Sequence, residues 1–256
     1  MSDFWTTSIS QVRPNQILVR GYPIEQLTER CTFGDVVFLL LTGELPKRTE
    51  GKLVEAILVS CCEHSLASPS VDAVRFVASS GVPLQAAVAA GVTAIGDVHG
   101  GAIEPCAKLL RHAVATKQLP EALLTEKRAA GKRIPGLGHR VHTRDPRVVV
   151  LFEVAKQLDL FGPHAAFAQE IEAASENILG HKLRLNVDGA VAALLCDMKI
   201  DPGLGKAFFI IARAPGYVAH AHEQMTKERP FKAAPAEQIT YTGPAEREVP
   251  GVDQQN

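Results

Sequence analysis

Four short stretches of this chain carry side chains that could move protons or grip anions. The first is Ile134-Pro-Gly-Leu-Gly-His-Arg-Val-His-Thr-Arg-Asp-Pro-Arg147. Gly136 and Gly138 would let a ligand approach the backbone beside His139. Asp145 and Pro146 read as the N-cap and first residue of a helix. A helix N-terminus attracts anions, and Arg140, Arg144 and Arg147 cluster there with forks suited to carboxylate or phosphate. The second stretch, Gly96-Asp-Val-His-Gly-Gly-Ala102, puts His99 ahead of a helix whose positive end favours a neutral imidazole. Such a ring can donate to a developing enolate oxygen. The third, Leu185-Asn-Val-Asp-Gly189, offers Asp188 as an N-cap and as a base for a carbon acid. The fourth sets Arg213 among apolar residues in Ala207-Phe-Phe-Ile-Ile-Ala-Arg-Ala-Pro-Gly216. A buried guanidinium without an anion is costly, so Arg213 needs a carboxylate, and a substrate is the favoured source. Pro215 and Gly216 are expected to break regular helix packing there.

Each feature also has a plainer reading. The first stretch could be a capped surface helix, and His99 an ordinary histidine in a Gly-rich turn. His64, closing an apolar helix, could simply complement its dipole. His220 and His222, two apart on a helix, face different sides. His139 and His142 could share a face, but no carboxylate completes a ligand set, so no metal site is expected. Together the residues suit a small multi-carboxylate ligand.

The elements that must position these groups are mostly helical. Apolar spacings of three and four mark helices at Phe33–Leu41, Leu53–Cys62, Val71–Val77, Leu84–Ile95, Ile103–Val114, Val148–Leu160, Ala165–Leu179 and Ala190–Met198, with a long one from about Leu204 toward Met225. Residues 4–20 carry a short β pattern. The expected fold is therefore all-α with a small N-terminal β element, as one domain over residues 1–256 and a mobile polar tail after about Pro244. The net charge of −1 argues against general nucleic-acid or membrane-surface binding. The longest apolar run, Val36 to Leu41, cannot span a bilayer. Five cysteines without a CxxC, and no signal-peptide pattern in MSDFWTTSIS, suggest reduced thiols in the cytoplasm.

The chain resembles the citrate synthase superfamily. Arg20-Gly-Tyr-Pro-Ile-Glu-Gln-Leu27 and Phe38-Leu-Leu-Leu-Thr-Gly-Glu-Leu-Pro46 match its N-terminal region. His-Gly-Gly (99–101), Gly-Leu-Gly-His-Arg-Val (136–141), Asp-Pro-Arg (145–147), Asn-Val-Asp (186–188), Ala-Arg-Ala-Pro-Gly (212–216) and Tyr-Thr-Gly (241–243) follow in the family's order. The resemblance implies a citrate-synthase-like helical fold and a homo-oligomer, a dimer or a dimer of dimers. It implies a coenzyme A thioester as substrate, of acetyl-CoA or citryl-CoA type, with a 2-oxo acid and no permanently bound cofactor. Asp188 would exchange the α-carbon proton, His99 would stabilise the enolate, and His139 would exchange the proton of the substrate oxygen. His64, Arg147 and Arg213 would hold the oxo acid. The Arg140–Arg144 stretch, with Gly136 and Gly138, would border the coenzyme A site.

Two departures qualify this reading. Only 17 residues separate Pro46 from His64, where citrate synthases have a longer helical segment. The short spacing resembles the citryl-CoA lyase branch, including the lyase module of ATP citrate lyase. Cleavage of citryl-CoA, or of a similar 3-hydroxyacyl-CoA, to acetyl-CoA and oxaloacetate or another 2-oxo acid is then the leading expectation. A compact citrate or methylcitrate-type synthase is the alternative, and a non-catalytic binder of coenzyme A or carboxylate a further one. The second departure is an arginine that synthases carry just before Tyr-x-Gly to reach the partner subunit's site. Arg229 lies earlier here, and Lys232 competes for the role.

Overall fold

The computed structural model describes residues 4–47, 49–139 and 142–247. Arg140 therefore lies outside the described residues, as does the tail from residue 248. Three short antiparallel strands open the chain: β1 (Ser10–Arg13), β2 (Gln16–Val19) and β3 (Tyr22–Pro23), in the order β1-β2-β3. Arg13 pairs with Gln16, leaving a two-residue turn. Pro14 suits its first position, and Asn15 takes φ of 61°, a conformation asparagine tolerates.

Eleven α-helices follow among the described residues. They are α1 (Ile24–Arg30), α2 (Phe33–Thr42), α3 (Glu50–Cys61), α4 (Pro69–Ala78), α5 (Leu84–Thr93), α6 (Ile103–Ala115), α7 (Pro120–Ala129), α8 (Pro146–Gln157), α9 (Pro163–Leu179), α10 (Val187–Asp197) and α11 (Gly205–Lys227). Local chemistry sets their ends. Thr32 and Asp35 form a capping box on α2, and Gly43 closes it at φ of 92°. Proline opens α4, α7, α8 and α9, where its missing N–H costs nothing. The fold is all-α with a small β element, as expected. The apolar spacing did not single out α1 or α7; α7 (PEALLTEKRA) has helix-forming residues but only Leu123 and Leu124 buried.

The core is one continuous cluster running from Val37 to Ala221. At its centre lies α10, where Val187 and every residue from Gly189 to Cys196 are buried. It packs on α6, α8 and α9, while α11 packs on α3, α4 and α5. The long α11 runs through Pro215 as its apolar spacing predicts, but the expected break in packing is not found, since Gly216 and Tyr217 are buried. Gly216 instead serves close packing: a Cβ there would meet the Cys62 carbonyl oxygen at 2.5 Å. No helix among the described residues is long and apolar enough to cross a membrane.

Candidate active site

The candidate side chains converge where several helix ends meet. On α8, Asp145 is the N-cap and accepts the Arg147 N–H at 3.1 Å. The Arg147 guanidinium also grips Asp145 at 2.9 and 2.7 Å, and Asp145 accepts the Val187 N–H at 3.1 Å. This buried carboxylate thus ties the start of α8 to the start of α10. Burial works to raise its pKa, but the Arg147 and Val187 bonds hold it below the usual carboxylate range.

Asp188 is not the N-cap expected from the sequence. Asn186 is, accepting the Gly189 N–H at 3.1 Å. The physical consequence is large, because the Asp188 carboxylate is released from capping. Among the described residues it takes no hydrogen bond. Burial raises its pKa, only partly offset by the charges of Arg147 and Arg213. A carboxylate with a raised pKa is a stronger base, which suits proton exchange with a carbon acid.

His99 lies in the tight turn before α6, where Gly96 and His99 exchange backbone hydrogen bonds. The next residue, Gly100, takes φ of 75°, and a Cβ there would strike Phe209 at 2.7 Å. Ser70, fully buried on α4, sits 2.7 Å from His99 Nε2. With the hydroxyl donating, the ring proton is on Nδ1 and available to an oxygen. The His99 pKa is lowered, chiefly by burial and secondarily by Arg213. The shift has the expected direction, but its causes are burial and the Arg213 charge, not the helix end.

Arg213 is 2% exposed. Its Nε donates to the Cys61 carbonyl at 2.8 Å, and its guanidinium lies 4.7 Å over the Phe209 ring. Nη1 is buried without a partner, and among the described residues no protein carboxylate pairs with it. His64 does not close α3, which ends at Cys61. It lies in the following turn, in edge contact with His139 and His142 at ring distances of 5.6 and 5.8 Å. Burial and the charges of Arg147 and Arg213 lower its pKa. Burial and His142 do the same for His139.

The grouping of His64, His139 and His142 was not visible from spacing, and their ligand atoms lie within 4.8 Å of one another. That separation could suit a metal ion. The local chemistry is against one. The His142 N–H donates to His139 Nδ1 at 3.0 Å, which puts the ring proton on Nε2. A cation would have to displace one or the other, in the field of Arg147 and Arg213. The trio fits an anion with several oxygens better. The Cys61 thiol, pushed up to about 11 by burial, is not a nucleophile at neutral pH.

The glycines and outer arginines behave less uniformly. A Cβ on Gly136 would meet Gly189 Cα at 2.5 Å and Cys106 Sγ at 2.6 Å, so protein, not ligand, fills that space. Gly138 is more open, with Leu183 at 3.7 Å, and its carbonyl accepts from Asn186 Nδ2 at 2.7 Å. Arg144 lines a cavity of about 170 Å³ with Arg184, Glu172 and Phe152. Arg229 follows the end of α11 and folds back, its carbonyl accepting from Gln224 Nε2 at 3.0 Å, a level about 16 Å along the helix from Arg213 at 1.5 Å per residue. One chain therefore does not bring Arg229 to the cluster.

A sequence model of the family described as citrate synthase, C-terminal domain, matches residues 3–53 and 47–234. The chain belongs to the citrate synthase family. A solved citryl-CoA lyase from Hydrogenobacter thermophilus is 41% identical, with a TM-score of 0.92, covering 97% of this chain and 98% of that one. The Bacillus subtilis citrate/2-methylcitrate synthase is 31% identical over 87% of this chain and 58% of its own length. ATP-citrate synthase beta chain protein 1 of Arabidopsis thaliana is 26% identical over 92% of this chain. The chain spans 42% of that relative's length. Within this citrate synthase family framework, the structure adds Ser70 to the residues read from sequence and places His142, already read as a neighbour of His139, beside His64 as well. Ser70 lies in an unremarkable Ser-Pro-Ser stretch, and only the packing of α4 against the 96–101 turn reveals it.

Proposed function

We propose that this protein is a carbon–carbon lyase cleaving citryl-CoA, or a similar 3-hydroxyacyl-CoA, to acetyl-CoA and oxaloacetate or another 2-oxo acid. The observation that carries it is the buried, unpartnered Nη1 of Arg213 beside His64, Arg147 and Asp188. A substrate carboxylate supplies the missing acceptor. The near-complete mutual coverage with the Hydrogenobacter citryl-CoA lyase supports the same reading.

In cleavage, the substrate hydroxyl proton passes to His139 as the carbon–carbon bond breaks. The electron pair moves into the thioester enolate, whose oxygen His99 stabilises with its Nδ1–H. Asp188 then delivers a proton to the enolate carbon. Burial, which raises its pKa, favours the protonated form that this step uses. Arg147 and Arg213 with His64 anchor the oxo-acid half. Arg140, Arg144 and Gly138 border the coenzyme A site. Arg229 or Lys232 completes the third-carboxylate contact from a partner subunit, which makes the working form a homo-oligomer, a dimer or a dimer of dimers. The chemistry needs no resident cofactor or metal. Five free cysteines, three of them buried, fit a cytoplasmic setting.

One observation favours the condensing direction as a second reading. With His139 Nδ1 accepting the His142 N–H, the ring presents a donor at Nε2. That form polarises the carbonyl of an oxo acid directly. Taking a hydroxyl proton requires the other tautomer and release of the His142 contact. The protein should be incubated separately with citryl-CoA and with acetyl-CoA plus oxaloacetate, following free thiol and acyl-CoA mass. Acetyl-CoA from the first mixture, without thiol release from the second, supports the lyase. Citrate with free coenzyme A from the second establishes a synthase, and inactivity of both mixtures sinks the reading.

A further inference from the structure

One network of the citrate-synthase-like fold lies beside the reacting groups without touching them. In α11, Arg213, Gly216, His220 and Glu223 recur at spacings of three and four, so they share one face. Arg213 points to the substrate side, as described. Gly216 lets the helix lie against the turn after α3, where a Cβ would meet both the Cys62 carbonyl oxygen and Glu63 Oε2 at 2.5 Å. One helical turn further on, His220 Nε2 is 3.1 Å from Glu63 Oε1. The same Glu63 oxygen accepts the backbone N–H of His64 at 2.8 Å and the N–H of Ser65. Ser65 has φ of 56°, a left-handed conformation that costs a non-glycine residue about 1 kcal/mol. Something must hold that turn in place, and the Glu63 carboxylate does.

The network continues into α4. Arg75, 8% exposed, donates from Nε to His220 Nδ1 at 3.3 Å and pairs with Glu223. Because the arginine nitrogen can only donate, His220 Nδ1 must accept. The imidazole proton then sits on Nε2 and donates to Glu63. The direction of each bond is thus fixed from Arg75 through His220 to Glu63. Burial works to raise the Glu63 pKa, but the bonds from His220, Ser65 and His64 hold it below the usual carboxylate range.

We propose that Glu63 and His220 are positioning residues that fix the His64 turn for the oxo-acid half of the substrate, with Arg75 orienting His220. This rests on the role of His64 proposed above. The same face of α11 that offers Arg213 to a carboxylate thereby sets the second anchor of that carboxylate. Neither Glu63 nor His220 contacts the reacting atoms, so their effect falls on substrate affinity.

The test uses His220→Ala, His220→Gln and Glu63→Ala in the full chain. Loss of one or two such bonds should raise the KM for citryl-CoA about tenfold, with kcat within a factor of two. His220→Gln should recover most of the loss, because an amide can accept from Arg75 and donate to Glu63. Amide hydrogen exchange of the 62–66 segment should quicken in both alanine variants and return toward wild type in His220→Gln. Should His220→Ala fail to fold, the more exposed Glu63→Ala carries the same prediction. Unchanged KM, a fall in kcat alone, or unchanged exchange would each overturn the proposal. A wild type inactive on every substrate would instead remove the functional reading. The exchange arm would then still decide on the anchor, with quickened exchange supporting it and unchanged exchange refuting it.

Discussion

Replacing Arg213 by methionine separates binding from folding, because binding should weaken strongly while stability barely moves. Among the described residues the guanidinium makes one bond, to the Cys61 carbonyl, and rests on Phe209. Losing the bond costs about 1 kcal/mol, and losing the ring contact costs about 1 to 2 kcal/mol. Against this, burying Nη1 without a partner already costs about 1 to 3 kcal/mol. Methionine is apolar, flexible and of similar length, and it removes that penalty along with the buried charge. The net change in stability is therefore within about 1 kcal/mol of zero. Binding behaves differently. Truncating one partner of a buried charge pair costs about 2 to 5 kcal/mol, so affinity for oxaloacetate should fall by about thirtyfold or more. The assay is thermal denaturation with and without oxaloacetate. Ligand at a hundredfold excess over the wild-type Kd stabilises wild type by about 2.7 kcal/mol, and the variant should keep at most about 0.9 kcal/mol of that gain. A variant that melts much earlier yet still responds to oxaloacetate would refute the reasoning, because Arg213 would then be a structural residue.

Three further outcomes are expected. Asp188→Asn should lower turnover by a factor of about 10² to 10⁴ and raise stability at neutral pH. The sign follows from the raised pKa: a folded-state pKa above the unfolded value makes the ionised carboxylate a destabilising group. The gain should shrink as pH falls through the folded-state pKa of Asp188, and a gain independent of pH, read from paired melts, would contradict the assignment. Ser70→Ala leaves His99 without its 2.7 Å partner and should reduce kcat about tenfold with little change in KM; a pure KM effect would place Ser70 in binding instead. Gly136→Ala forces a Cβ to within 2.5 Å of Gly189 Cα at φ of 80°, and denaturant unfolding should show a loss of more than about 2 kcal/mol.

The sequence by itself determined the helical fold, because apolar spacing reports which face each helix buries. It also determined the chemistry on offer. His99, His139, Asp188, Arg147 and Arg213 follow in a family order, with Gly-rich turns or helix starts that are locally legible. The start of α8 was readable for the same reason, since Asp145 caps the helix through bonds to its near neighbour Arg147. What depended on distant partners was not readable. Asp188 does not cap α10 because Asn186 takes that role, a competition between two acceptors that only the folded helix start decides. Ser70 reaches His99 across 29 residues, and Glu63 reaches His220 across 157. His64 joins His139 and His142 only because α3 ends early enough for its following turn to face them. Periodicity fixes a helix's own face, but the packing of one face on another chooses each side chain's partner. For that reason the candidate reacting groups could be named from the chain, while the hydrogen bonds around them could be read only from the fold.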